Sequence, residues 1–408
     1  MNKIKNIVVV VDSIDVDDSS GSKVNVALIQ NLQTLGYHIE VFHYTRKDIQ
    51  LRGVVCHSIK EKKYNLKYLL SRSQRVFTRF TKININRFIE GIIGFSFTFF
   101  NDVDSIRSFV LNNLKKQPDL IITLSKGASF RPHYALLKLP KFHDKWLAYV
   151  HDPYPFHFYP RPYNWVESGY RQKEQFFREV SEKATYSVFP SLLLKEWMGS
   201  YFSGFLKTSI VIPHQNLMLE VTNKTNEIDY LDNNKFNLLH AGNLMSKRDP
   251  RFLVEAFYVF LEKNPNAKNE AKLIFLGNAS YHKEYLERIS SKTIYWSKGN
   301  VPFSEVVIVQ KNVSVNIILE SKSEISPFRI FLVDSINMPN AQLLEVVGLN
   351  ELDDDFLLRL RRLCHAQHLV QLAEGDLAFP ILVEGVEKRV DVARETVVEA
   401  QVGQRLGK

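Results

Sequence analysis

The chain alternates short β-branched runs with longer stretches whose apolar positions recur at helical spacing. Residues 4–11, IKNIVVVV, form a continuous apolar run of strand length, the pattern of a strand covered on both faces. An Asp/Ser/Gly loop follows, then KVNVALIQNLQTLGY (23–37) with helical periodicity, then a second strand pattern, IEVFHYT (39–45). Strand, loop, helix and strand in that order predict a parallel βαβ unit, and its first loop, Asp17 to Ser22, falls at the carboxyl end of a strand, where such sheets bind ligands. LIITLS (120–125), KWLAYVH (145–151), TYSVFPS (185–191) and SIVIP (209–213) read as further strands of the same sheet.

The pattern restarts after a polar linker, TNKTNEIDYLDNNK (222–235). FNLLHAG (236–242), AKLIFLG (271–277) and VSVNIIL (313–319) read as strands, and DPRFLVEAFYVFLEKN (249–264) and HKEYLERIS (282–290) as helices. The expected fold class is therefore α/β, with two Rossmann-like domains at residues 1–215 and 216–328 facing each other across a cleft. Residues 329–408 read differently. The last tyrosine is Tyr295 and the last tryptophan Trp296, and helical patterning over 353–376 followed by a hairpin pattern predicts a small α+β tail, either a variable appendage or a foreign C-terminus.

Composition narrows the class. With 45% apolar and 24% charged residues over 408 positions, the chain can bury two ordinary cores. Cys56 and Cys364 stand apart and outside any C-x-x-C pattern, which argues against a disulfide framework or a structural zinc site and predicts a cytoplasmic protein. The N-terminus lacks a small-residue cleavage site, and the apolar segment FIEGIIGFSFTFF (88–100) is too short to span a bilayer. Residues 329–408 carry nine Lys/Arg and thirteen Asp/Glu, so the net charge of +9 divides into −4 there and +13 over residues 1–328. A basic surface of this kind attracts phosphates on a nucleotide, a nucleic acid or an anionic membrane. The stretch KEKKYNLKYLLSRSQRVFTRF (60–80), with cations among Tyr, Leu and Phe, makes an anionic membrane surface a candidate partner, although an ordinary amphipathic helix has the same pattern.

Two constellations carry chemistry. In HAGNLMSKRDP (240–250), Gly242 ends a strand and permits close approach of a ligand, while Lys247 and Arg248 bring two cations. Asp249 is the expected N-cap and Pro250 the expected first helical residue, so the helix would aim its N–H groups at the same loop, an arrangement that suits a diphosphate. A solvated turn with two surface cations is the plainer alternative. In WLAYVHDPYPFHFYPRPYNW (146–165), a strand delivers His151 and Asp152 to its carboxyl end, and the prolines and aromatics that follow suit a carbohydrate stacked on rings. His151, Asp152 and His157 are poorly spaced for a metal, since adjacent strand residues point to opposite faces.

The order of these segments resembles the GT-B fold glycosyltransferases, and most of all their retaining family 4, as found in bacterial surface-polysaccharide synthesis. The residues that carry the likeness are the first strand with its Ser-Gly loop, PDLIITLS (118–125), YVHDPYP (149–155), ATYSVFPS (184–191), VIPH (211–214), LLHAGNLMSKRDP (238–250), AKLIFLGN (271–278) and SVNIILESKSEISPF (314–328), spread over about four fifths of the chain. The resemblance implies a nucleotide-sugar donor on the second domain, a glycan or lipid-linked acceptor on the first, no metal or other cofactor, and a place in the cytoplasm or at the inner face of its membrane. It implies that Gly21 lies near the donor phosphates, that His151 serves the transferred sugar with Asp152 beside it, and that Lys247 contacts the diphosphate. Asn243 stands where the family often has arginine, a place Arg248 could fill, and Gly242 and Gly277 complete the strand-end loops. Glu324 matches the first carboxylate of the family's Glu-x7-Glu motif, and Ser326 lies in the turn that offers N–H groups to phosphate. The second carboxylate is replaced by Leu332, with Asp334 out of register.

Four rivals are weighed against this reading, the last two at a disadvantage. A catalytically impaired relic or scaffold would follow from the altered C-terminus, and a nucleotide-sugar epimerase shares the architecture. A nucleic-acid binder has no recognition motif here, and the loop DSIDVDDSSGSK lacks the G-x-G-x-x-G of a dehydrogenase.

Overall fold

The computed structural model describes residues 5–114, 117–161, 163–215, 217, 228–232, 234–320 and 342–347. All of them belong to one unit, Met1–Glu351. Two separate parallel sheets organise it.

The first sheet contains β1 (Asn6–Val11), β2 (His38–His43), β3 (Val55–Ser58), β4 (Leu120–Leu124), β5 (Trp146–Tyr149), β6 (Tyr186–Phe189) and β7 (Ser209–Val211). Their order is β3-β2-β1-β4-β5-β6-β7, every pair parallel. The connecting helices are α1 (Ser20–Thr34), α2 (Leu66–Thr81), α3 (Asn86–Ile93), α4 (Phe97–Asn113), α5 (Arg131–Leu137), α6 (Tyr170–Lys183), α7 (Leu192–Tyr201) and α8 (Gly204–Thr208). The run of valines in β1 explains how the sheet is covered. Val8 and Val10 face one cluster with Phe42, Trp146 and Phe177, while Ile7, Val9 and Val11 face another with Ile29, Val41 and Ile122. Alternate residues point to opposite faces, so both faces being buried requires the unbroken apolar run.

The second sheet contains β8 (Phe236–Ala241), β9 (Ala271–Leu276), β10 (Ile294–Trp296), β11 (Val315–Glu320) and β12 (Gln342–Val347), in the order β10-β9-β8-β11-β12, again parallel. Its helices are α9 (Arg251–Lys263), α10 (Ala267–Glu270), α11 (Lys283–Ile289) and α12 (Phe303–Asn312). The sheet's fifth strand thus comes from residues 342–347, within the stretch that composition sets apart as a tail. Both sheets reverse their winding beside their first strand, between β1 and β4 and between β8 and β11. Crevices at such switch points are where open α/β sheets bind ligands.

Several expected elements shift or appear anew. The apolar segment 88–100 is broken at Gly94, at φ +85°, into the end of α3 and the start of α4. Asp249 is not the N-cap residue: α9 begins at Arg251, with Pro250 in the capping position. Proline at the cap offers no side-chain acceptor, and the Asp249 carboxylate instead accepts the Arg251 N–H at 3.0 Å from one residue further back. No helix among the described residues is long and apolar enough to cross a membrane.

Candidate functional site

The switch point of the first sheet is lined by the β1–α1 and β4–α5 loops. Ser19 caps α1, its hydroxyl accepting the Ser22 N–H at 3.1 Å, so Ser20 and Gly21 occupy the first helical turn, before the N–H groups find intrahelical acceptors. Gly21 sits against Lys126 and Gly127 of the facing loop. Four aspartates crowd this approach, and each is answered. Asp12 is buried, accepts the Lys126 N–H at 3.2 Å and the Ser129 hydroxyl, and has Arg131 at 3.8 Å. Burial pushes its carboxyl up despite the opposing pull of Arg131. Asp15 pairs with Lys47, Asp18 with Lys126, and Asp17 reaches the second sheet's side, accepting the Phe303 N–H at 2.9 Å. Lys23 lies 4.1 Å from the centroid of the Phe303 ring.

His151 follows β5 and is 4% exposed. Its two ring nitrogens are both engaged, and the surroundings fix which carries hydrogen. Asn25, on the buried face of α1, donates through Nδ2 to the Ser125 carbonyl at 3.0 Å and the Ser13 carbonyl at 3.4 Å, which leaves its Oδ1 to accept. His151 Nε2, 3.0 Å from that oxygen, therefore carries the proton, and bare Nδ1 accepts from His214 Nε2 at 3.2 Å. Burial keeps His151 well below the usual imidazole range, with His214 and His133 adding to the effect, and pushes His214 down to about 4. The result is a chain of neutral groups, from His214 through His151 to Asn25. The Tyr149 ring stacks on His151 at 4.4 Å and donates its hydroxyl to the Ile212 carbonyl at 2.6 Å, holding the imidazole from behind.

Asp152 is half-buried, and desolvation pushes its carboxyl up to about 6. The aromatic loop beyond it packs largely on itself: Trp165 meets Phe156, Tyr159 and Tyr163 at 5.5, 4.7 and 4.7 Å, and Phe158 stacks on Tyr201 at 3.9 Å. His157 is turned away to Glu174, at 2.7 Å.

On the second sheet, Gly242, Asn243 and Gly277 come together. Gly242 N donates to the Leu276 carbonyl at 2.8 Å, Leu244 N to the Asn278 carbonyl at 2.9 Å, and Asn278 N to Asn243 Oδ1 at 3.1 Å, zipping the loops after β8 and β9 together. Gly277 has φ +125°, and a Cβ there would lie 2.6 Å from the Gly242 carbonyl oxygen, so only glycine lets the two backbones approach. Asn243 thus spends its carbonyl oxygen on the zipper. Lys247 is exposed and forms no ion pair among the described residues, whereas Arg248 is half-buried in the turn closed by its N–H to the Met245 carbonyl at 2.9 Å. His240, beneath Gly242, donates Nδ1–H to the Ile317 carbonyl at 3.1 Å, and burial pushes it down to about 4.

The structure gathers His151 and Asp152 near the α1 turn that holds Gly21, and gathers Gly242, Asn243, Gly277, Lys247 and Arg248 in the loops after β8 and β9. Glu324 and Ser326 lie outside the described residues, as do Leu332 and Asp334. Asn25 and His214 escaped sequence reasoning. Asn25 left one trace, a polar residue on the apolar stripe of KVNVALIQ, and His214 another, ending VIPH.

No protein-family model matches the chain, and no curated protein matches it. Solved structures do resemble it. WaaG, a glycosyltransferase involved in lipopolysaccharide biosynthesis, aligns over 88% of this chain and 90% of its own, with a TM-score of 0.50 at 11% identity. The trehalose-6-phosphate synthase OtsA aligns over 77% of this chain and 78% of its own, also with a TM-score of 0.50 at 11% identity. The likeness is one of fold, and the chain has the two Rossmann-like domains of the GT-B architecture.

Proposed function

We propose that the protein is a glycosyltransferase that moves a hexose-type residue from a nucleoside-diphosphate sugar to a glycan or lipid-linked acceptor, with retention of configuration and without a metal, in the manner of family 4. The observation that carries this reading is the pairing of two parallel sheets whose strand-end loops offer complementary parts. One brings the α1 N-terminus and a locked imidazole, and the other a glycine-lined backbone loop with Lys247 and Arg248. The GT-B fold, shared with glycosyltransferases, supports it.

In this reading the helix N–H groups, Lys247 and Arg248 stabilise the diphosphate as it leaves. The bond between the sugar's anomeric carbon and the diphosphate oxygen breaks as the acceptor oxygen attacks on the same face, and the acceptor's proton passes to the departing phosphate. His151 has no spare nitrogen to act as base, since Nε2 serves Asn25 and Nδ1 serves His214. Its part is to shape the sugar pocket. The natural setting is the cytoplasm, at the inner face of the cytoplasmic membrane when the acceptor is lipid-borne.

Thermal-shift titrations with UDP, GDP and ADP and their sugars test the reading. One nucleotide is expected to raise the melting temperature, and Lys247→Ala to weaken its binding about tenfold, the scale of a lost charge-assisted contact, with stability unchanged within ~0.5 kcal/mol. A flat response to all three would leave the impaired relic as the better description.

A further inference from the structure

The helix pair between β3 and α4 is built inside out. The buried residues of α2 are Ser71 and Gln74, both polar, and α3 buries none. Polar contacts fasten the inward side: Ser71 Oγ lies 2.6 Å from Thr98 Oγ1, Lys67 Nζ donates to Asp104 at 2.6 Å, Asn65 Nδ2 donates to Asn101 Oδ1 at 2.8 Å, and Gln74 binds Asn86. The apolar residues face outward. Leu66, Leu69 and Phe80 of α2 are 69%, 61% and 81% exposed, and Phe88 and Ile92 of α3 are 73% and 61% exposed. Their spacings, which are sums of threes and fours, put those of each helix on one stripe.

An apolar face of this kind in water marks a docking surface. Its charge names the partner. Residues 60–93 hold nine Lys/Arg against two Glu, and Arg79, Lys82 and Arg87 have no carboxylate partner among the described residues. Cations beside an apolar stripe match an anionic bilayer, with rings in the headgroup boundary and cations at the phosphates. We infer that α2 and α3 together dock the protein on an anionic lipid surface through this outward apolar stripe and its cations.

The platform is tied to the candidate site. The Gly94 and Gly169 backbones touch so closely that a Cβ on Gly169 would lie 2.6 Å from Gly94 Cα, and Gln172 Nε2 donates to the Ile92 carbonyl at 2.9 Å. Buried Lys173 pairs with Glu90 at 3.4 Å and Glu167 at 2.7 Å, and Glu167 accepts the Phe156 N–H at 2.7 Å. These contacts connect α3 to the loop that follows His151 and Asp152. Docking would therefore bring that loop to the membrane; this last step rests on the proposed lipid-linked acceptor, while docking itself does not.

Flotation of the full chain with phosphatidylcholine vesicles, with and without phosphatidylglycerol, tests the inference. The protein is expected to float only with the anionic vesicles. Phe80→Ser with Phe88→Ser should cut partitioning about tenfold or more, with the melting temperature unchanged or raised. Arg79→Glu with Lys82→Glu should abolish binding at low salt. Nucleotide thermal shifts on the same variants should match the parent, which separates docking from donor binding. Absence from the anionic vesicles, or flotation indifferent to the two ring substitutions, would overturn the inference. So would a dimer in sedimentation velocity that Phe80→Ser dissolves, since the face would then belong to a second copy of the chain.

Discussion

Around the ends of β1 and β5 the groups that meet are side chains: Asn25 accepts the hydrogen bond of His151, His151 accepts that of His214, and four aspartates find cations or N–H groups. Around the ends of β8 and β9 the groups are mostly peptides, joined through Gly242, Leu244, Gly277 and Asn278, with Lys247 left outside. The contrast teaches a division of labour. The first rim holds its imidazole in place through side chains, whereas in the second the loop N–H groups are spent on joining the two loops, and exposed Lys247 forms no ion pair among the described residues.

The largest expected difference lies in acid. Burial holds His43 and His214 at about 4, His133 at about 3 and His151 well below the usual range, all in the first domain, against His240 at about 4, alone among the described residues of the second, in β8. A neutral imidazole in the fold and a protonated one in the unfolded chain mean that folding releases protons. The stability is fully present above the unfolded value near 6.5 and is lost as pH falls toward 4, by up to ~1.4 kcal/mol per pH unit for each imidazole. Asp152 acts with the opposite sign, since a carboxyl raised to about 6 gives up stability as pH climbs from the unfolded value of 3.8 to that point. Urea titrations between pH 7.5 and 4.5 should show the steep loss. His133→Gln should flatten the slope, while Asp152→Asn should add stability above about pH 6. A pH-independent midpoint would erase the comparison.

Next in size is the glycine pair. Gly277→Ala sets a Cβ against the Gly242 carbonyl at a positive φ, and should cost about 2–4 kcal/mol. Gly21→Ala meets ordinary contacts, 3.5 Å from Gly127 N, and should change stability by less than ~1 kcal/mol. Melting curves that rank the two alike would mean the rims are built on the same principle after all. The relay follows, with a cost below that of Gly277→Ala. Asn25→Leu leaves His151 Nε2–H without its acceptor, at a cost of about 1–3 kcal/mol. Nitrogen-15 spectra should report the Nε2–H tautomer of His151 in the parent and a changed tautomer balance in the variant; an Nδ1–H tautomer in the parent would refute the direction of the chain.

Much of this architecture was legible in the sequence because parallel strands need covering on both faces. Each apolar run from IVVVV to VNIIL that read as a strand is one. β3 was not assigned, since VCHS is four residues long and only Cys56 is buried. α2 illustrates a deeper limit: its amphipathic pattern is plain, but periodicity states which residues share a face and is silent on which face turns inward. The site follows the same logic. Glycines and cations clustered within one loop could be read locally, whereas His151 meets partners 126 and 63 residues away in sequence, Asn25 and His214, and only the fold brings them together.

The hydrogen bond from Phe303 to Asp17, with Lys23 over the same ring, also has a thermodynamic meaning. It joins the loop that precedes α1 to the first residue of α12, and each of the two contacts is worth about 1 kcal/mol. Were the two segments to part, both contacts would be lost, and together they favour the joined arrangement by about thirtyfold. A ligand that bound the parted arrangement better would need about that same thirtyfold difference in affinity to bring the two into balance.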